Sequence, residues 1–304
     1  MESLVSIRGL EKRFGDFKLE SIDLSVDAGC VTGLVGSNGA GKSTTIKSLL
    51  GLVNPDAGRI ALFGEELFGP ASEGGCRRAA AIDYRQCMAQ VGYVPDTCPF
   101  PLTLPLSSID PLGQAMHATW DSARFNRLLG EFGITGKKTV KQLSRGMTMK
   151  LSLAAALSFE TRLLVLDEAT AGLDPIARDE TLDILLDYVS DGEHGILFST
   201  HITSDLEKVA DTVVCIDAGR GVFDVPKDDL RERFGVAHCR TDQVEPVTAH
   251  CKAAGDRALA RRHAYSVDVL VPDRFGFARA FPDIPCDPIS IEEFMTFHIR
   301  GEEL

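Results

Sequence analysis

With 304 residues, 44% of them hydrophobic and 25% charged, the chain has the make-up of a globular protein long enough for one large domain and a smaller one. Its formal net charge of -12 excludes the broad basic patches that nucleic acid requires, and no apolar run approaches the roughly 20 residues needed to cross a bilayer. The eight cysteines (positions 30, 76, 87, 98, 215, 239, 251 and 286) contain no CxxC pair and read as reduced thiols of a cytosolic protein, and the short acidic start MESLVSIRGL does not read as a signal peptide.

In chain order, LVSIRGL, LESIDLSV and CVTGLVG read as strands from their alternating or continuous aliphatic content. A helix is expected from about Lys42 to Leu50, then a turn at NPDAG and a strand at RIALFG. Residues 69–90 begin with Gly, Ser and Glu and read as a surface excursion before QVGYV returns to strand. Residues 97–142 are Pro-rich and then helical, with WDSARFNRLLGEFGI the clearest amphipathic helix. The stretch LSRGMTMKLSLAAAL, Leu143 to Leu157, continues as a buried helix but opens on Ser, Arg and Gly, which pack poorly and expose backbone amides. RLLVLD, GILFST and TVVCID then alternate as strands with the helices PIARDETLDILLDYVSD and ITSDLEKVA, which predicts a mostly parallel sheet covered by helices. Beyond about Phe234, YSVDVLV and ISIEEFMTFHI predict a small α/β appendage, and no internal repeat is present.

GSNGAGKST occupies positions 36–44, after a strand and at the start of a helix, which is the context the GxxxxGK[ST] phosphate-binding loop requires. Gly36, Ser37, Asn38, Gly39, Ala40 and Gly41 would let successive backbone N–H groups wrap a triphosphate, and the helix N-terminus adds partial positive charge. Lys42 would bridge the outer phosphates, Ser43 would give its hydroxyl to Mg2+, and Thr44 completes the loop. Such a site needs an acid at the end of a hydrophobic strand, and RLLVLDEAT supplies two. Asp167 would hold Mg2+ through its water shell, and Glu168 would orient and deprotonate the attacking water.

LSRGM, Leu143 to Met147, resembles the LSGGQ signature of ATP-binding-cassette (ABC) ATPases and lies where that family has it, between the phosphate loop and the LLVLDE strand. AGLD, ending at Asp174, resembles the family's D-loop, STHIT places His201 as its switch histidine, and KRFGD places Phe14 where an aromatic stacks on adenine. The ordered set covers roughly residues 1–230. The resemblance implies a P-loop NTPase core of ABC ATPase type: a mostly parallel sheet flanked by helices, an antiparallel β subdomain, a helical signature subdomain at about 97–158, and a small α/β accessory domain over 231–304. It implies that two cassettes, identical or sister chains, meet head to tail, so that Ser144 and the Gly146 amide touch the γ-phosphate bound by the partner, with Asp174 at the same junction. His201 would contact the γ-phosphate from the P-loop side.

Three positions depart from the family pattern: Arg145 replaces the first signature glycine, Ala169 a proline, and Asp96 in VGYVPDTCP the glutamine that reaches toward metal and water. An acid at position 96, the stretch around His201 and the tail ISIEEFMTFHIRGEEL resemble bacterial exporter ATPases of the antibiotic-resistance and bacitracin-export type. The implied protein is an ATPase subunit on the inner face of the cell membrane, docked on separate permease subunits through the segment from Asp96 to about Gln142. A cassette acting on ribosomes or DNA is disfavoured by the negative charge and the absence of heptads and CxxC pairs, and a non-hydrolysing regulator by Glu168.

Overall fold

Strands Val31–Val35, Leu163–Asp167 and Gly195–Thr200 are mainly aliphatic, and every residue in them, including Thr32, Ser199 and Thr200, is buried. That continuous burial is the mark of parallel strands covered on both faces. They belong to the main sheet of the computed structural model, which describes residues 2–70, 75–78, 84–253 and 257–304. Five strands run parallel in the order Thr212–Asp217, Val31–Val35, Gly195–Thr200, Leu163–Asp167, Val91–Val94. Arg220–Pro226 pairs antiparallel with Thr212–Asp217 and meets Phe17–Asp27 at Arg220 and Glu20. From there the sheet continues with antiparallel Ser3–Phe14, Ala57–Leu62, Glu65–Pro70 and Cys76–Arg78, giving eleven strands. The parallel half thus matches the expected β/α alternation and the rest forms the antiparallel β part. Of the expected surface excursion over 69–90, Cys76–Arg78 is a strand and Tyr84–Met88 a helix, while 71–74 and 79–83 lie outside the described residues.

Side chains alternate across the parallel strands. Val31, Leu164, Leu166, Ile196 and Phe198 pack with helices Arg145–Ala156, Pro175–Val189 and Thr203–Val209. Leu34, Leu163, Val165 and Leu197 face helix Lys42–Leu49 and the antiparallel strands. A separate core of Leu106, Ile109, Phe125, Ile134, Val140 and Leu151 organises the helical segment between Val94 and Leu163. Within it, Asp121 accepts a bond from the Arg124 N–H at 2.9 Å and starts helix Ser122–Glu131.

The C-terminal part holds an antiparallel sheet in the order Cys286–Pro288, Gly235–Cys239, Val267–Val271, Leu259–Arg262, Glu302–Glu303. Ala237, Cys239, Val269 and Val271 pack on helices Val244–Ala253 and Arg274–Ala280, whereas Val236 and Leu270 join helix Ile291–Arg300 against the main core.

His238 alternates onto the face of Val236. Its Nδ1 lies 2.8 Å from Asp268 and its Nε2 3.2 Å from Asp287, and Asp268 also bonds His263 Nε2 at 2.8 Å. Hydrogen bonding to Asp268 raises the His238 pKa above the ordinary 6.5, burial opposes it, and Asp287 adds to the rise. A group with the higher folded-state pKa contributes stability that is complete below its unfolded pKa and is lost as pH climbs through the folded one. An NMR titration of the His238 ring is therefore expected to give a midpoint above 6.5 that Asp268→Asn lowers, and an unshifted midpoint in the parent protein would refute this account.

Candidate active site

Parallel strands place all their C-terminal ends on one edge of the sheet, and the loops leaving there converge. Between strand Val31–Val35 and helix Lys42–Leu49, the loop turns tightly under the next strand. A Cβ on Gly36 would lie 2.1 Å from the Ile216 carbonyl oxygen. Gly41 has φ +119°, and a Cβ there would lie 2.5 Å from Leu19 Cδ1 and 3.3 Å from Phe17 Cζ. The Ala40 carbonyl accepts the Gly219 N–H at 2.9 Å, and Asp217 accepts the Ser37 hydroxyl at 3.0 Å, so the hairpin after strand Thr212–Asp217 buttresses the loop. Residues 37–44, with Phe17, Asp96 and Glu168, line a cavity of about 530 Å³. The helix that opens there has no side-chain cap, which leaves its first N–H groups to whatever anion enters.

Lys42 is 5% exposed. Its Nζ donates to the Gly36 carbonyl at 2.8 Å and the Ser37 carbonyl at 3.3 Å, and lies 3.1 Å from Glu168 Oε1. The other Glu168 oxygen is 2.5 Å from His201 Nδ1 and accepts the His201 N–H at 3.3 Å. Glu168 has φ +54°, a left-handed conformation that costs a non-glycine residue about 1 kcal/mol or more. That conformation follows directly on the buried strand end and puts one carboxylate between a lysine and a histidine. Asp167 is buried, and its Oδ1 has no hydrogen-bond partner among the described residues. Burial raises its pKa most, the Ser43 and Ser199 hydroxyls lower it, and the charges of Asp96 and Glu168 raise it further.

The structure therefore brings the P-loop residues, Asp96 and Glu168 to one cavity and holds His201 on Glu168. Ser144, Gly146 and Asp174 do not line this cavity. Ser144 caps helix Arg145–Ala156 by accepting the Met147 N–H at 3.2 Å, and Asp174 caps helix Pro175–Val189 by accepting the Ile176 and Ala177 N–H groups at 3.1 and 3.0 Å. Phe14 lies at the hairpin tip, 47% exposed with Lys12 over its ring, and does not line the cavity. The aromatic ring that does is Phe17, its partner in the hairpin register, because Phe17 and Leu19 alternate onto the face that meets Gly41. Phe17 and Asp217 were not among the residues picked from sequence. The end of a parallel strand beside the loop was the signal that could have found Asp217.

The ABC transporter family profile matches residues 19–171, and the chain is 35% identical over 240 residues to the daunorubicin resistance ATP-binding protein DrrA3 of Streptomyces coeruleorubidus, covering 77% of this chain and 72% of that protein. This chain belongs to the ABC transporter ATP-binding family. This ABC ATPase is also 29% identical over 236 residues to the bacitracin transport ATP-binding protein BcrA of Bacillus licheniformis (77% and 73% covered). Against the Nod factor export ATP-binding protein I of Burkholderia lata it is 35% identical over 233 residues (72% and 69% covered). Among solved structures, an ATP-binding subunit of an ABC transporter superposes with a TM-score of 0.64 at 30% identity, over 75% of this chain and 92% of that one. The cbiO1 subunit from Clostridium perfringens superposes with a TM-score of 0.62 at 22% identity (84% and 98% covered), which speaks to the fold. The protein is accordingly an ATP-binding ABC ATPase with the ABC P-loop fold.

Alanine at Gly41 is expected to strain the left-handed loop backbone by about 1–2 kcal/mol, lowering the melting temperature and weakening ATP binding. Unchanged melting and unchanged ATP affinity would contradict the geometry assigned to the loop.

Proposed function

We propose that this ABC ATPase powers a membrane exporter by closing head to tail on a second cassette around Mg2+-bound ATP. The observation that carries the reading is the chain of contacts Lys42–Glu168–His201 at the mouth of the P-loop cavity, with signature and D-loop residues lying outside that cavity. A γ-phosphate entering the loop competes with Glu168 for the Lys42 ammonium. Glu168, then held by His201, is free to accept a proton from the attacking water. Ser144, Gly146 and Asp174 are each without a role in their own chain's cavity, which supports their acting on nucleotide bound by the partner.

Ser43 and Asp167 would hold Mg2+. The fit rests on the orphaned buried Asp167 Oδ1, the hard oxygen donors and the surplus of acids around it. Among the described residues no cluster of three or more His, Cys, Asp or Glu side chains is arranged to hold a metal by itself, so phosphate and water oxygens would complete the shell. When bound, the ion supplies neutralisation of the phosphate charge. Asp96, at the rim, is short enough to reach such an ion only through water. Phe14 and Phe17 are the two aromatic rings available to adenine.

Among the described residues no helix is long and apolar enough to cross a membrane, so transport would need separate permease subunits. A largely apolar groove of about 240 Å³, lined by Tyr93, Phe100, Ile109, Leu112, Met116 and Trp120 among others, is their proposed docking place. Continuity supports it, because Tyr93 lines the groove and Asp96, three residues on, lines the ATP cavity. The export direction is supported by relatives named for drug resistance and Nod factor export. The subunit would then sit on the inner face of the cell membrane.

Glu168→Gln is expected to bind ATP, hydrolyse it at least ~100-fold more slowly and accumulate as a dimer. Monomeric Glu168→Gln at saturating ATP would overturn head-to-tail closure between identical chains, and undiminished turnover in Lys42→Ala would overturn the P-loop assignment. Failure of the chain to co-purify with any integral membrane protein from its native membranes would count against export. Phe17→Ala should raise the Kd for ATP more than Phe14→Ala if adenine rests in the cavity seen here, and the reverse order would place adenine on the hairpin tip.

A further inference from the structure

Arg145 stands where the signature pattern of this family has glycine, and its surroundings show what the larger side chain does. It is the first residue of helix Arg145–Ala156, exposed, with no ion-pair partner among the described residues. A cation at a helix N-terminus is opposed by the positive end of the helix dipole, so electrostatics within the chain does not hold it there. Packing does. A Cβ placed on Gly172 of the D-loop would lie 2.8 Å from Arg145 Cζ, 2.9 Å from its Nη1 and 3.1 Å from its Nε. The guanidinium therefore fills the space that a side chain at Gly172 would take. Gly172 has φ +71°, a conformation that disfavours a side chain, and a Cβ there would push the Arg145 guanidinium aside.

Two further contacts join the same segments. A Cβ on Gly146 would lie 3.2 Å from Ala177 Cβ in the first turn of helix Pro175–Val189, and Lys150 pairs with Glu180 one turn further along. The start of the signature helix and the D-loop with its following helix are thus packed along matching turns, with Arg145 closing the end nearest Ser144 and Asp174.

We propose that Arg145 is a positioning residue that fastens the D-loop to the signature helix, so that the two segments facing the partner's nucleotide move as one body. This rests on the head-to-tail reading for its catalytic consequence, but the fastening itself is a property of the single chain. A planar guanidinium lies flat on a peptide, whereas a lysine ammonium is a hydrated point charge that does not, so charge alone should not substitute.

Hydrogen exchange in the nucleotide-free protein tests the fastening without any dimer. Arg145→Ala is expected to speed exchange of the amides at positions 170–174 by ~5-fold or more, and Arg145→Lys is expected to behave like the alanine variant. Unchanged exchange in Arg145→Ala, or full restoration by lysine, overturns the proposal. In steady-state assays Arg145→Ala should lower kcat by ~10-fold with little change in the monomer's affinity for ATP. Gly172→Ala should cost less turnover in the Arg145→Ala background than in the parent, because the Cβ then no longer meets the guanidinium. Strict additivity of those two changes overturns the proposed contact. If Glu168→Gln fails to dimerise with ATP while Arg145→Ala still loosens positions 170–174, head-to-tail closure between identical chains falls and the fastening stands. If Glu168→Gln dimerises and Arg145→Ala leaves exchange and kcat untouched, the fastening alone falls.

Discussion

A buried ammonium group governs the design of this site. Lys42 is nearly without solvent contact, and a charge so placed must be met by nearby oxygens or it destabilises the fold. Two loop carbonyls and Glu168 meet it here. Each of those partners is delivered by a different feature of the sheet. The carbonyls come from a turn that only glycine permits at Gly36 and Gly41, and the carboxylate comes from a strand end whose next residue takes a left-handed backbone. The site is therefore divided by charge: the uncapped loop amides and Lys42 present positive charge, while Asp167, Glu168 and Asp96 gather negative charge beside them. Attraction between opposite charges draws the two halves together in the Lys42–Glu168 contact, and a phosphate in the loop would compete with it.

Most of this was legible before any coordinates, and the reasons differ by element. GSNGAGKST, LLVLDE and THIT are local: each packs its chemistry within a few residues of a strand end, so sequence order implies spatial convergence. The helix opening at Ser144 was also readable, since a serine cap followed by poor packing residues has few other uses. Phe17 was hidden because its place depends on hairpin register, and Phe14 is just as aromatic three residues earlier. Strand Arg220–Pro226 escaped because RGVFDVP lacks clear alternation; its pairing depends on a tight turn at Ala218 and Gly219, φ +44° and +80°. The strands Gly235–Cys239, Leu259–Arg262 and Cys286–Pro288 are short, and Gly235–Cys239 finds its partners far along the chain, Gly235 lying between Val271 on one side and Pro288 on the other. The Arg145 contact could not be seen at all, as it joins the start of a helix to a loop that follows the next strand.

The C-terminal sheet bears on the site through one short helix. Thr203–Val209 has seven residues, too few to be stable alone, and it follows His201 directly. On one side Asp205, buried, accepts the Thr170 hydroxyl at 2.6 Å and so ties the helix to the chain just past Glu168. On the other, Glu207 accepts the Ile291 N–H at 2.6 Å, capping the C-terminal helix, while Leu206 and Val209 share a core with Phe294 and Phe297. The polar and apolar supports act together: losing the C-terminal helix would expose aliphatic surface on Thr203–Val209 and leave Glu207 without its amide. The position of His201 is thus set from both the catalytic strand and the appendage.

A similar economy links the apolar groove to the cavity. Only the four-residue strand Val91–Val94 separates them, and Tyr93 lines the groove while feeling the charges of Asp167 and Asp96. Burial, with those charges, pushes the Tyr93 hydroxyl up to about 12, so it stays protonated near neutrality. If the proposed permease docks in this groove, a shift of strand Val91–Val94 would reach Leu163–Leu166, with which it pairs in parallel register, and Asp96, two residues past the strand end. The same pairing carries the displacement to the strand that ends in Asp167. Mechanical contact between groove and phosphate site therefore requires no mobile relay, only the stiffness of two adjacent strands.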